Sequence, residues 1–324
     1  MKYRVFGKTG WQVSEIGFGA WGIGKSWWGP TEDELSLKAL HKALDLGVNF
    51  IDTAYLYGDG HSEKLIASAL KKRRSSERIY VATKVPPKDW GRVLTSHNSF
   101  EEAYPREWVL ECTDRSRQYL GMDTLDLQQL HLWDDRWVDQ PSFRELVQEL
   151  KEKKIIRTFG VSIKNHDPDS ALKLAASCLA DSMQIIYNLF DQSPAKKLLP
   201  LCQKQNIAVI TRVPLDEGGL SGKLTPETKF HPEDFRNRYF GGNRLKETYK
   251  RAEKFNFLIR DEIKTVAQAA LKFCLSHPAV STVIPGMRRP EHVEENCAVS
   301  DGKSLTPQKL EQLKHHAWAR DFYK

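Results

Sequence analysis

Apolar, β-rich runs alternate with amphipathic helical patterns along almost the whole chain. Eight runs, VSEIGFGA, NFIDTA, IYVATK, LDLQQLH, IRTFGVS, MQIIYN, AVITRV and STVIPG, read as strands. Between them fall EDELSLKALHKALDLG, SEKLIASALKKRR, REWVLECTDRSRQYLG, FRELVQELKEKK, DPDSALKLAAS, AKKLLPLCQKQN and DEIKTVAQAALKFCLSH, with RPEHVEENCAV after the eighth strand. Several of these open on Ser, Thr, Asp or Pro and close on Gly, Lys or Asn, as helix boundaries should. Eight strand-then-helix units in about the length of one closed barrel predict a (β/α)8 TIM barrel, its parallel strands joined by helical crossovers. A doubly wound open sheet is the alternative.

Three segments fall outside the repeat. Residues 1–12 are expected to pair as a short N-terminal hairpin, and residues 305–324 to form one additional C-terminal helix packed outside the barrel. Residues 215–260, rich in Gly, Lys, Arg and aromatics, exceed an ordinary connection and should include a functional loop over the barrel mouth. With no further repeat, low-complexity tract or linker, residues 1–324 are expected to be a single domain.

Charge narrows the partners. The chain carries 49 Lys plus Arg against 42 Asp plus Glu, a net charge of +7. Much of the excess sits in KKRR (71–74) and KEKK (151–154), both where helix C-termini are expected. Basic side chains are favoured there, so solvated faces are expected rather than a nucleic-acid surface. Cys112, Cys178, Cys202, Cys274 and Cys297 are scattered, with no C-x-x-C pair and no histidines at metal-ligand spacing. They read as reduced thiols of a cytoplasmic protein. The N-terminus lacks an apolar leader core, and no apolar run approaches the roughly 20 residues that span a bilayer. His315 and His316 lie in the terminal segment, away from the expected mouth, and no metal site is expected.

The sequence contains a literal G-x-G-x-x-G at Gly17, Gly19 and Gly22. A dinucleotide fingerprint needs a helix opening directly on that turn, so that its amides meet the pyrophosphate. Here IGKSWWGP follows, which cannot start a helix. Close backbone approach to something in a barrel mouth fits the glycines better.

Residues at the C-terminal ends of barrel strands converge on one mouth. Strand two ends near Asp52 with Tyr57 on its loop, strand three ends in Lys84 and strand four in His131. Singly, each is an ordinary surface or packing residue; together they make a proton-donating unit. A phenol with a reference pKa of about 10 donates poorly near neutrality, and a nearby ammonium is expected to lower that value. Asp52 would keep Lys84 charged, and His131 could hydrogen-bond an oxygen on which negative charge develops.

Asp52, Tyr57, Lys84 and His131, set in FIDTAYLYGDGHSE, VATK and LQQLHLWDD, resemble the catalytic tetrad of the aldo-keto reductase superfamily. The resemblance runs from GWQVSEIGFGAWGIG to VIPGMRRPEHVEEN. It implies a (β/α)8 barrel that binds NADPH in an extended pose and reduces small aldehyde or ketone carbonyls by direct hydride transfer. Tyr57 would be the general acid, tuned by Lys84 and Asp52, with His131 orienting the carbonyl. Some relatives instead use this barrel as a regulatory subunit or redox sensor, and that alternative stays open.

The same resemblance assigns the cofactor residues. Gly19, Ala20, Trp21 and Gly22 would flank the nicotinamide, with Ser162 and Gln184 on its carboxamide. The family often has Asn directly after that Ser; this chain has Ile163, so either Asn165 takes over or the contact is absent. Pro214, Leu215, Gly219, Leu220, Gly222 and Lys223 match the loop over the pyrophosphate. Pro285, Gly286, Arg288, Arg289 and His292 follow strand eight, where an arginine suits the 2′-phosphate of NADPH. Glu295 and Asn296 match adenine contacts. Arg212, in TRVPL, stands where many relatives stack an aromatic ring. Its charge would either favour NADPH over NADP+ or anchor an anionic substrate group. Trp21 and Trp133 adjoin motif residues and are expected to line the substrate pocket.

Overall fold

The computed structural model describes every residue except Ser26, 73–76 and 92–97. The second half of the KKRR cluster, Arg73 and Arg74, therefore lies outside the described residues.

β1 (Tyr3–Val5) and β2 (Gln12–Ser14) form an antiparallel hairpin. Eight parallel strands follow: β3 (Phe18–Gly19), β4 (Phe50–Asp52), β5 (Tyr80–Val85), β6 (Leu125–Leu130), β7 (Ile156–Ser162), β8 (Ser182–Ile186), β9 (Ala208–Arg212) and β10 (Val280–Val283). Their spatial order is their sequence order, which excludes the doubly wound alternative. The first and last edges meet: Gly17 N donates to Val283 O at 2.8 Å, Gly19 N to Pro285 O at 3.0 Å, and Gly19 bridges Gly286 in parallel. A Cβ on Gly19 would come within 2.6 Å of the Ile284 carbonyl oxygen, so barrel closure itself requires glycine there.

The strands read as continuous apolar runs because helices cover one face and the barrel interior fills the other. Every residue of β4, β6, β8 and β10 is buried. The hairpin plugs the N-terminal end, where Phe6 packs on Phe50 in one cluster with Ala82, Leu127, Ala208 and Ile210, and Trp11 stacks on Tyr80 at 4.6 Å. The mouth at the opposite end is left for polar side chains.

Local signals set the helix limits. Thr265 and Thr306 accept from Gln268 N and Lys309 N, capping helices Val266–Leu275 and Pro307–Lys314. Gly121, at φ 65, ends helix Arg106–Leu120. KEKK ends in ion pairs of Lys151 with Asp181 and Lys153 with Glu149, so this cluster is a paired surface.

The expected terminal helix is corrected in length. It stops at Lys314, and residues 315–324 leave it as irregular chain. The cause is aromatic: Trp318 packs edge-on against Phe190 at 5.4 Å, and Phe322 against Tyr239 at 5.5 Å. The segment after β9 carries helices Arg236–Tyr239 and Arg244–Ala252 and folds back over the mouth. There Phe235 N donates to Trp27 O at 2.9 Å.

Candidate active site

β4 delivers Asp52 to the C-terminal end of the barrel. The chain then turns tightly, with Tyr57 N donating to Ala54 O and Gly60 N to Tyr55 O. Gly58 sits at φ +68, and any Cβ there would collide with the Gly24 carbonyl oxygen. The two loops are locked together, and Tyr57 faces Trp21 with ring centroids 6.2 Å apart.

Lys84 Nζ donates to Asp52 Oδ2 and to Thr53 O, each at 2.7 Å, and lies 3.4 Å from Tyr57 Oη. His131 stands edge-on to the phenol at 5.8 Å. Four residues from three neighbouring strand ends thus meet at one point. Asp52 Oδ1 accepts from Gln184 Nε2 at 2.7 Å and Gln129 Nε2 at 3.4 Å, so its carboxylate is held on both sides. Gln184, expected on the cofactor, gives its amide Nε2 to this acid. Gln129 is a member that the sequence reading missed, although it sits opposite Lys84 in the β5/β6 register.

Electrostatics correct one expectation. Burial raises the Tyr57 pKa well above its ordinary value, the Asp52 charge adds to this, and Arg212 only partly opposes it. The phenol is therefore firmly protonated rather than primed towards phenolate. Burial lowers the Lys84 pKa, with Asp52 opposing. His131 is pushed well below the usual histidine range by burial, then by Lys84 and Arg212, so it is neutral, and its Nδ1 is buried with no partner.

Around this centre the tryptophans divide. Trp21, Trp28 and Phe235 form an aromatic wall, with centroids 5.0 to 5.3 Å apart. Trp90 lies 5.3 Å from His131 and is part-exposed. Trp133, by contrast, is fully buried against Phe143 and Trp137, with Nε1 on Asp135. It presents no surface to a substrate, which corrects its expected role: the following loop turns it into the helical layer.

The other named residues lie on the strand ends and loops around this centre. Ser162 ends β7 opposite Gln184. Arg212 Nη2 donates to Ile163 O at 3.0 Å and Asn165 Oδ1 at 2.8 Å, so Asn165 is tied to Arg212. Pro214, Leu215, Gly219 and Leu220 lie in the turns after β9, and Gly222 and Lys223 follow at the surface. Lys223 Nζ reaches Glu295 Oε2 at 3.1 Å, joining this loop to helix Pro290–Cys297, where Asn296 is buried. Pro285 and Gly286 lead from β10 to Arg288, Arg289 and His292. Ala20 and Gly22 follow β3 close by; a Cβ on Gly22 would strike the Arg288 side chain. Arg288 donates to Trp28 O, and Arg236, which the sequence reading also missed, lies over the Trp28 ring at 4.7 Å. Among the described residues no group of three or more His, Cys, Asp or Glu could hold a metal ion, and no helix is long and apolar enough to cross a membrane. The five cysteines are free.

Comparison with known proteins places this geometry. Residues 15–317 match the family model described as the aldo/keto reductase family. The chain is 31% identical over 297 residues to "Aldo-keto reductase YhdN" of Bacillus subtilis, covering 91% of this chain and 87% of that protein. It is 28% identical to the "NADH-specific methylglyoxal reductase" of Escherichia coli, over 92% and 93% of the two chains. A solved aldo/keto reductase from Klebsiella pneumoniae, in complex with NADP and acetate, superposes with a TM-score of 0.68 at 25% identity, over 99% and 98% of the two chains. The chain belongs to the aldo/keto reductase family, an oxidoreductase family that binds nicotinamide cofactors.

Proposed function

We propose that this protein is an NADPH-dependent reductase of small aldehydes or ketones, with Tyr57 as general acid. The observation that carries the reading is Lys84 Nζ, held by Asp52 at 2.7 Å and lying 3.4 Å from Tyr57 Oη, beside neutral His131. The residues around this centre fit the cofactor. Arg212 Nε, Trp28 Nε1 and Glu295 Oε1 are buried without partners, and Lys223, Arg288, Arg289 and Arg236 gather positive charge where a phosphate would lie.

When bound, the cofactor supplies hydride to the carbonyl carbon. The chain's own residues manage the oxygen. His131 orients it by hydrogen bonding, Tyr57 gives it the phenolic proton, and the Lys84 ammonium stabilises the phenolate left behind. The aromatic wall of Trp21, Trp28 and Phe235 keeps water from the reacting atoms. Arg212, a cation close to the phenol, favours the reduced, neutral nicotinamide over the oxidised, cationic one. The five free cysteines fit a cytoplasmic protein.

Loss of NADPH absorbance over a panel of small aldehydes and ketones, run beside NADH, tests the reading. Turnover with NADPH that exceeds turnover with NADH is the expected result. Tight NADPH binding with no turnover on any carbonyl would overturn it in favour of a sensor or regulatory role.

A further inference from the structure

The loop after β9 has a backbone that side chains disfavour. Val213, Asp216 and Glu217 lie at φ 53, 52 and 53, in the left-handed region that favours glycine and is most costly for the β-branched Val213. Something must hold it there, and the partners come largely from the far end of the chain. Asp216, fully buried, accepts from Tyr239 Oη at 3.1 Å and pairs with Arg320. Glu217 accepts a hydrogen bond from Tyr323 Oη. Arg320 is fixed in turn by the rings of Trp318, Phe322 and Phe190, its guanidinium carbon 4.2, 4.5 and 5.0 Å from their centroids. Two backbone groups anchor the segment: Trp318 N donates to Phe190 O at 2.8 Å, and Phe322 O accepts from Arg244 Nη1 at 3.2 Å.

We propose that residues 315–324 act as a clamp on this loop, with Arg320 and Tyr323 as positioning residues that hold Asp216 and Glu217 and so set how long the cofactor stays bound. The inference rests on the reading above, in which the loop at 213–223 closes over the cofactor. It goes further by giving that loop a fastening made by residues more than 100 positions away, on a segment that sequence patterning assigned to an outer helix. Tyr323 and Arg320 touch no reacting atom; they act through the two acids. Because Glu217 also shares the surroundings of Arg212 and Tyr57, a loosened clamp would be felt at the reaction centre.

Tyr323→Phe removes only the hydroxyl. At pH 8, stopped-flow fluorescence should show NADPH leaving about tenfold faster, the worth of one hydrogen bond to a carboxylate. Hydrogen exchange of the protein without cofactor should show faster exchange across residues 213–223 and little change in the barrel strands. Glu217→Leu should match it, Glu217→Gln should restore most of the wild-type behaviour by keeping an acceptor, and the Tyr323→Phe/Glu217→Leu double variant should be no worse than either single change. Release within twofold of wild type together with unchanged loop exchange would overturn the clamp, as would additive effects in the double variant. If the wild-type protein binds no NADPH, the proposed function falls, while the exchange comparison still decides whether the clamp exists.

Discussion

The Lys84 ammonium lies 2.7 Å from Asp52 Oδ2 with neither side chain more than 3% exposed. This is a buried ion pair, and its worth is asymmetric: removing one partner strands the other charge, whereas removing both need not. Lys84→Met alone should cost about 3–5 kcal/mol of stability. Lys84→Met with Asp52→Leu should recover most of it, and neither variant should turn over substrate. Urea titrations of the two variants would check this; equal destabilisation by the single and the double change would contradict it.

Tyr57→Phe keeps the ring that faces Trp21 and loses the proton. Because that proton is needed only in the transition state, kcat should fall by about 10²–10⁴ with NADPH affinity unchanged. Steady-state kinetics beside a fluorescence titration give both quantities, and near-normal turnover would remove Tyr57 from the mechanism.

Glu217 should make stability depend on pH. Burial pushes its pKa from 4.5 up to about 7, against the lowering effect of the Tyr323 hydrogen bond. Between those values the folded state holds a proton that the unfolded chain has released, so this contribution is present at low pH and lost as pH rises towards 7. The loss is on the order of 3 kcal/mol. Denaturation midpoints of wild type and Glu217→Gln from pH 4.5 to 8 should diverge, the variant gaining relative stability as pH rises. Parallel curves would show that Glu217 does not titrate there.

Two tryptophans separate packing from recognition. Trp133→Ala empties a fully buried site and should cost about 3–5 kcal/mol. Trp90→Ala, at a part-exposed residue beside His131, should change stability little and alter KM across a series of aldehydes of increasing size. A stability loss at Trp90 with no change in KM would reverse the assignment.

Arg212→Tyr tests the displaced aromatic. Replacing a cation near the phenol should lower the ratio of NADPH to NADP+ affinity, measured by titration with each form. An unchanged ratio would leave Arg212 only its tie to Ile163 and Asn165.

The alternation of strand and helix patterns determined the barrel, because parallel strands buried on both faces and amphipathic helices have distinct periods that the side chains write directly into the chain. The tetrad was legible for a related reason. Strand ends are marked by where apolar runs stop, and in a barrel those ends must converge, so Asp52, Tyr57, Lys84 and His131 were joined by topology before any distance was known. What only the tertiary structure decided depends on directions and on partners distant in sequence. The protonated state of Tyr57 follows from burial, with the Asp52 charge adding to it and Arg212 only partly opposing it. Trp133 turns into the helical layer by the course of its loop, and Gln129 and Gln184, from two different strands, both turn towards Asp52 Oδ1. The fastening of Asp216 and Glu217 by Arg320 and Tyr323 joins residues 104 and 106 positions apart. No local pattern records such a pairing, because its energy comes from burying a charge network that exists only once the chain has folded.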